Sequence, residues 1–159
     1  MKSDFSLQEI AARMAIEDLY SRYVFACDDS NYDVLDEVFL EDCEVDWGHA
    51  KGNREFAKNV IKTNNAQSDY LFHFCGNFRM DFAPDYNSAQ VKFKMLFPMG
   101  RKDENGILKM FQVHGSYSDE VVKTENGWRV KKRKWNHGWV TGGFDLIDGE
   151  QDLLDTPKD

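Results

Sequence analysis

The spacing of apolar residues changes once along this chain, near residue 70, and that change restricts the fold more than any motif. Before it, apolar side chains recur at helical intervals; after it, they alternate. The runs YLFHFCGNFRMDF, SAQVKFKMLFPMG, ILKMFQVHGSYSDEVVK and GWRVKKRKWNHGWV are separated by DYN, RKDENG and TENG, which reads as a meander of four long strands. Helices followed by hairpin-connected strands imply an α+β domain, its helices packed on one face of a curved antiparallel sheet.

The first third supplies the helices. Ser6 and Glu9 make a capping box ahead of the stripe Ile10, Met14, Ile16, Leu19, Tyr20, Tyr23, Val24 and Cys27. Asp28 follows Val24 by four positions and Tyr20 by eight, so helical spacing carries a carboxylate on the inward stripe. Tyr32 to Phe39 reads as a short second helix, CEVDW as a strand, and residues 52–63 as a third helix with Phe56, Val60 and Ile61 inward. No linker or repeat interrupts this order, so residues 1–159 are expected to form a single domain, with segment 140–159 as a lid or acidic tail.

Composition narrows the function. A formal net charge of −8 argues against nucleic acid or an anionic membrane as partner, and no apolar run approaches the ~18 residues of a membrane span. A soluble, cytoplasmic protein is expected. Cys27, Cys43 and Cys75 are odd in number and lack CxxC spacing, so they read as reduced thiols. There is no Walker or Rossmann glycine pattern and no GxSxG elbow, so no cofactor is expected. Asp42, Glu44 and Asp46 share a strand face without a histidine at ligand spacing; they read as a solvated edge, and no metal is assigned.

Few groups remain to carry chemistry, and each has a plain structural reading. Asp28, with Asp29 and Ser30, stands where an N-cap of the next helix would stand. His73 alternates with Leu71, Cys75, Asn77 and Arg79, opposite Phe72, Phe74, Phe78, Met80 and Phe82, which reads as the solvent side of a strand. His114 alternates with Met110, Gln112 and Ser116, a face compatible with a pocket or with water. The run RVKKRK, residues 129–134, reads as a charged sheet face.

Taken in order, the segments CDDSNYDVLDEVFLEDCEVDWG, HFCGNFRMDF, VHGSYSDEVVKTENGW and WNHGWVTGGFDLI resemble the NTF2-like, SnoaL-type cone proteins, from about Glu9 to about Ile147. Within them the chain is most similar to scytalone dehydratase, with γ-hexachlorocyclohexane dehydrochlorinase and bile-acid 7α-dehydratase further off. The resemblance implies a catalytic Asp at Asp28, a base at His73 in HFCG, and a second pocket histidine at His114. It also implies a small-molecule pocket bounded by Tyr20, Val24, Cys27, Trp47, Cys75, Arg133 and Trp135, and a homotrimer. Cys27 and Trp47 replace two tyrosines that hold a water against the substrate carbonyl in scytalone dehydratase, while Arg133 and Trp135 replace small polar residues on the last strand.

Two function classes follow. One is a cofactor-independent, dehydratase-like lyase acting on a hydrophobic ring-containing carbonyl compound, or an isomerase using the same Asp-His pair. Arg133, if it faces inward with Trp135, would favour anionic ring compounds in such a site. The other class is a noncatalytic small-molecule-binding or oxygenase-associated protein on the same fold.

Overall fold

The structure, a computed structural model, describes residues 4–48 and 50–142, with backbone alone at His137. The lid or tail assigned to segment 140–159 falls outside the described residues from position 143 onward.

Helix α1 spans Leu7–Asp28. Ser6 Oγ accepts the Glu9 N–H at 3.1 Å, completing half of the capping box. The Glu9 carboxylate turns instead to Arg13 Nη2 at 3.0 Å and to the Tyr86 hydroxyl at 3.3 Å. The buried stripe is Glu9, Ala12, Ile16, Leu19, Tyr20, Tyr23, Ala26 and Cys27. Ile10 and Met14, expected inward, are exposed. Met14 lies two positions, about 200° around the helix, from both Ala12 and Ile16.

A single left-handed residue, Ser30 at φ 56°, stops α1. The short helix expected over Tyr32–Phe39 is a 3-10 helix, Tyr32–Glu37, and Phe39 already opens strand β1, Phe39–Asp46. After β2 (Lys51–Gly52) comes helix α2, Arg54–Asn65, capped by Asn53 Oδ1 accepting the Phe56 N–H at 3.2 Å. The four expected strands follow, the first divided at Phe72 and His73, as β3 (Tyr70–Leu71), β4 (Phe74–Phe82), β5 (Ser88–Lys102), β6 (Leu108–Thr124) and β7 (Gly127–Gly142).

The strands form one curved, unclosed sheet in the order β2-β1-β7-β6-β5-β3, with β4 also paired to β5. It is mixed, because β1 runs parallel to β7; the remaining pairs are antiparallel, as expected. The intervening meander is long enough to return the chain in the same direction, which a tight hairpin cannot do. Helix α1 lies against the concave face, where Tyr20 meets Phe93 at 4.5 Å and Phe78 at 5.3 Å between ring centroids.

Two irregularities decide which side chains enter this concavity. In β4 the register shifts between Gly76 and Arg79, around Asn77 at φ 55°. Before the shift His73 and Cys75 face inward; after it Phe78, Met80 and Phe82 do. On β6–β7 the register shifts between Glu120 and Val121, so Val130 and Arg133 are both buried although three positions apart. Among the described residues no helix is long and apolar enough to cross a membrane.

Candidate active site

Asp28 is the last residue of α1 and does not cap the helix that follows. Its carboxylate reaches across to the segment between β3 and β4, where Oδ2 accepts the His73 backbone N–H at 2.9 Å. Oδ1 lies 2.6 Å from His73 Nδ1. Both oxygens serve one residue, which fixes the position of the main chain and the orientation of the ring together. The His73 side chain is 4% exposed and that of Asp28 19%. A carboxylate this far from water requires such donors.

Packing holds the ring from its faces and edge. Phe97 of β5 stacks on His73 at 3.6 Å between centroids, and Tyr23 of α1 meets it edge-on at 6.2 Å. From the far side, Asn65 at the end of α2 donates its amide to the Cys27 carbonyl at 2.9 Å and thereby ties down the last turn of α1 beside Asp28.

Deeper in the concavity, Arg133 and Asp119 form an ion pair with 0% exposure on both side chains. Arg133 Nη2 donates to Asp119 Oδ2 at 2.8 Å, and Nε lies 3.1 and 3.2 Å from the two oxygens. The Tyr20 hydroxyl donates to Oδ2 at 3.0 Å. Aromatic rings enclose the guanidinium, with Tyr23 at 4.4 Å, Tyr117 at 4.6 Å and Phe39 at 5.0 Å from Cζ. Asp119 opposes the pull of burial and keeps Arg133 protonated.

The thiols around this cluster are inert by environment. Burial pushes Cys27 and Cys75 up to about 12 and Cys43 to about 11, with Arg133 opposing the shift in each case. Burial likewise raises Tyr117 to about 12. Tyr20, Val24, Cys27, Trp47, Cys75 and Trp135 all belong to or pack on the main core cluster, and Arg133 sits within it.

His114 is the exception. The pairing of β6 with β5 is unbroken around it, the register shift between His114 and Ser116 placing its extra residue on β7: Tyr117 and Asp119 are buried, and His114 and Ser116 lie on the other face. There His114 stacks on the exposed Trp139 at 4.9 Å with a 7° interplanar angle, and its Nε2 lies 3.3 Å from Thr141 Oγ1. The structure therefore brings Asp28 and His73 together and sets His114 outside the concavity. His73 itself, read as solvent-facing from alternation, is inward. Asp42 and Glu44 lie exposed on β1, with Glu44 3.1 Å from Lys132, while Asp46 binds Lys51 at 2.9 Å.

Asp119, Asn65 and Phe97 were not singled out from the sequence, and Tyr23 was read only as part of the helical stripe. Counting outward from the Thr124–Gly127 turn without a bulge would place Asp119 opposite Lys132; the observed register places it opposite Arg133. No linear signal marks Asn65.

A family model described as "SnoaL-like domain" matches residues 8–134. A curated protein of Mycobacterium tuberculosis, named only as uncharacterized, is 27% identical over 136 residues, covering 83% of this chain and 89% of its own. Among solved structures, a candidate scytalone dehydratase from Novosphingobium aromaticivorans superposes with TM-score 0.74 at 23% identity, covering 84% of this chain and 89% of that one. A hexachlorocyclohexane dehydrochlorinase, LinA-type3 of Novosphingobium barchaimii, gives TM-score 0.71 at 19% identity, with 87% and 94% covered. These structures share the fold with this chain. The family match spans the helices and the sheet through β7 as far as Lys134, and the chain belongs to the SnoaL-like domain family.

Proposed function

We propose that the protein is a cofactor-independent, dehydratase-like lyase acting on a hydrophobic, ring-containing carbonyl compound. The observation that carries this reading is the Asp28 Oδ1 to His73 Nδ1 contact at 2.6 Å. A carboxylate on Nδ1 fixes the tautomer with a proton there and leaves Nε2 as the basic nitrogen. Nε2 takes a proton from the carbon next to the substrate carbonyl, and the C–H electron pair moves onto the carbonyl oxygen as an enolate. Asp28 stabilises the imidazolium formed. Collapse of the enolate expels a β-hydroxyl, which leaves as water with the proton returned from His73. Where no β leaving group exists, the same pair returns the proton to another carbon, which is isomerisation.

The aromatic walls support a flat apolar substrate. The resemblance gave His114 a place in the pocket; in this reading the carbonyl oxygen is met instead by a donor inside the concavity. Support for the class also comes from the neighbouring structures, one named a candidate dehydratase and another a dehydrochlorinase. The test is a panel of cyclic β-hydroxy and β-halo ketones incubated in D₂O without cofactor. Deuterium entry at the carbon next to the carbonyl, or elimination, in wild type and its loss in Asp28→Asn supports the lyase; ligand uptake without exchange or elimination supports the binding-protein alternative.

The assembly proposed is a homotrimer. On the convex face Phe72 and Phe74 are 57% and 58% exposed and Trp139 is 64% exposed, and Tyr70, Leu108 and Met110 gather over Gly100 nearby. Apolar side chains in this density are characteristic of a surface that meets another molecule. A monomer in sedimentation at micromolar concentration would refute it.

A further inference from the structure

The interior contains a cation that is neutralised before any ligand arrives. Asp119 engages Arg133 Nε and Nη2, which fixes the plane of the guanidinium, and also accepts the Tyr20 hydroxyl, which fixes the carboxylate. Arg133 Nη1 is buried and has no hydrogen-bond partner. Trp47 Nε1 is likewise buried and unpartnered. The Tyr117 ring lies 4.6 Å from the guanidinium Cζ and meets Trp135 edge-on at 4.9 Å. Tyr23 connects this cluster to the base, 4.4 Å from the guanidinium and 6.2 Å from the His73 ring.

From this arrangement we infer that Arg133 and Asp119 form a charge-neutral donor subsite, which takes an uncharged oxygen acceptor such as a ring ketone and rejects carboxylates and phenolates. The inference rests on reading the concavity as the substrate site and specifies the charge of the substrate. It reverses the expectation of anionic ligands, which treated Arg133 as a free cation. An anion entering here would be desolvated beside a cation whose charge Asp119 already balances, and nothing would compensate that loss. A ketone carries no such penalty and supplies the acceptor that Nη1 lacks. In this inference the same N–H also stabilises the charge that grows on that oxygen as His73 removes the proton.

The test uses 2-tetralone and 2-naphthoate, a neutral ketone and a carboxylate of similar shape, with affinities measured by calorimetry on the full chain. Wild type is expected to bind the ketone at least tenfold more tightly. Asp119→Asn leaves Arg133 uncompensated and is expected to move the ratio at least tenfold toward the carboxylate. If that variant does not fold, the double variant Arg133→Met, Asp119→Leu decides: it removes both charges at similar volume and is expected to lose at least tenfold in ketone affinity. Equal or tighter binding of naphthoate by wild type, uptake of neither compound, or an unchanged preference in the variant that folds would overturn the inference. Affinity is read without turnover, so loss of the elimination reading through absent deuterium exchange would leave this outcome distinguishable.

Discussion

Asp28 holds His73 twice, by the backbone N–H at 2.9 Å and by the ring Nδ1 at 2.6 Å, so one carboxylate sets both where the imidazole starts and which way it faces. Asp28→Asn and His73→Gln are each expected to lower proton exchange at carbon by ~10²–10⁴-fold, the range for a positioned general base. Because the two groups act as one unit, the double variant should be hardly worse than either single one. Losses that add in full would show independent roles.

Asn65 tests how far that geometry depends on the end of α1. Its side chain is buried, and its amide supplies a bond to the Cys27 carbonyl next to Asp28. Asn65→Ala leaves that acceptor without the amide and is expected to cost about 1–3 kcal/mol in denaturant unfolding. Activity should fall beyond the change in folded fraction. A stability loss of that size with wild-type kcat, at a temperature where both proteins are folded, would reduce Asn65 to a structural residue.

The ion pair between Arg133 and Asp119 gives an asymmetric stability prediction. Arg133→Met alone strands a buried carboxylate and is expected to destabilise by about 3–5 kcal/mol, whereas the double variant with Asp119→Leu should recover most of that loss. Chemical denaturation of the three proteins checks this. A double variant as unstable as the single one would mean that the loss comes from packing around the aromatic rings.

Alkaline pH should weaken the fold. Burial raises Cys27 and Cys75 to about 12 and Cys43 to about 11. The unfolded chain releases these protons near the ordinary thiol value of about 8.5 and the native chain does not, so the native state binds more protons above that pH. Stability is thus fully present below about pH 8.5 and declines as pH rises toward the folded values. Thermal unfolding at pH 7.5 and 10.5 should show a lower Tm at the higher pH, and the drop should shrink in Cys75→Ala. Native thiols should also resist iodoacetamide at pH 8 until denaturant is added.

His114 and Trp139 offer a test that separates the proposed assembly from the proposed chemistry. On the convex face, Phe74→Glu or Trp139→Glu is expected to shift sedimentation toward the monomer. His114→Ala should alter association more than deuterium exchange measured at saturating substrate. A His114→Ala protein that remains assembled and loses exchange as completely as His73→Gln would return His114 to the dyad's chemistry.

The order of the helices and long strands was legible along the chain, because period is a local property: the stripe through Ile16, Tyr20, Tyr23 and Cys27 can bury only as a helix, and β5 to β7 alternate as strands must. The sequence also placed Asp28 inward, four positions past Val24 on one face of α1. Tertiary structure decided which residues meet. Alternation assigns sides only while the register is unbroken, and a bulge reverses every assignment beyond it. The shift around Asn77 lets His73 and Met80 both face inward despite opposite parity, and the shift at Glu120/Val121 sets Asp119 opposite Arg133. The shift beside His114 adds its residue to β7, while β6 stays in register with β5, so the parity of His114 with Ser116 puts it outside. The pairing of Asn65 with the Cys27 carbonyl spans 38 positions and exists because α2 packs near the end of α1. Contacts of that range depend on how elements are packed together, which no local pattern encodes.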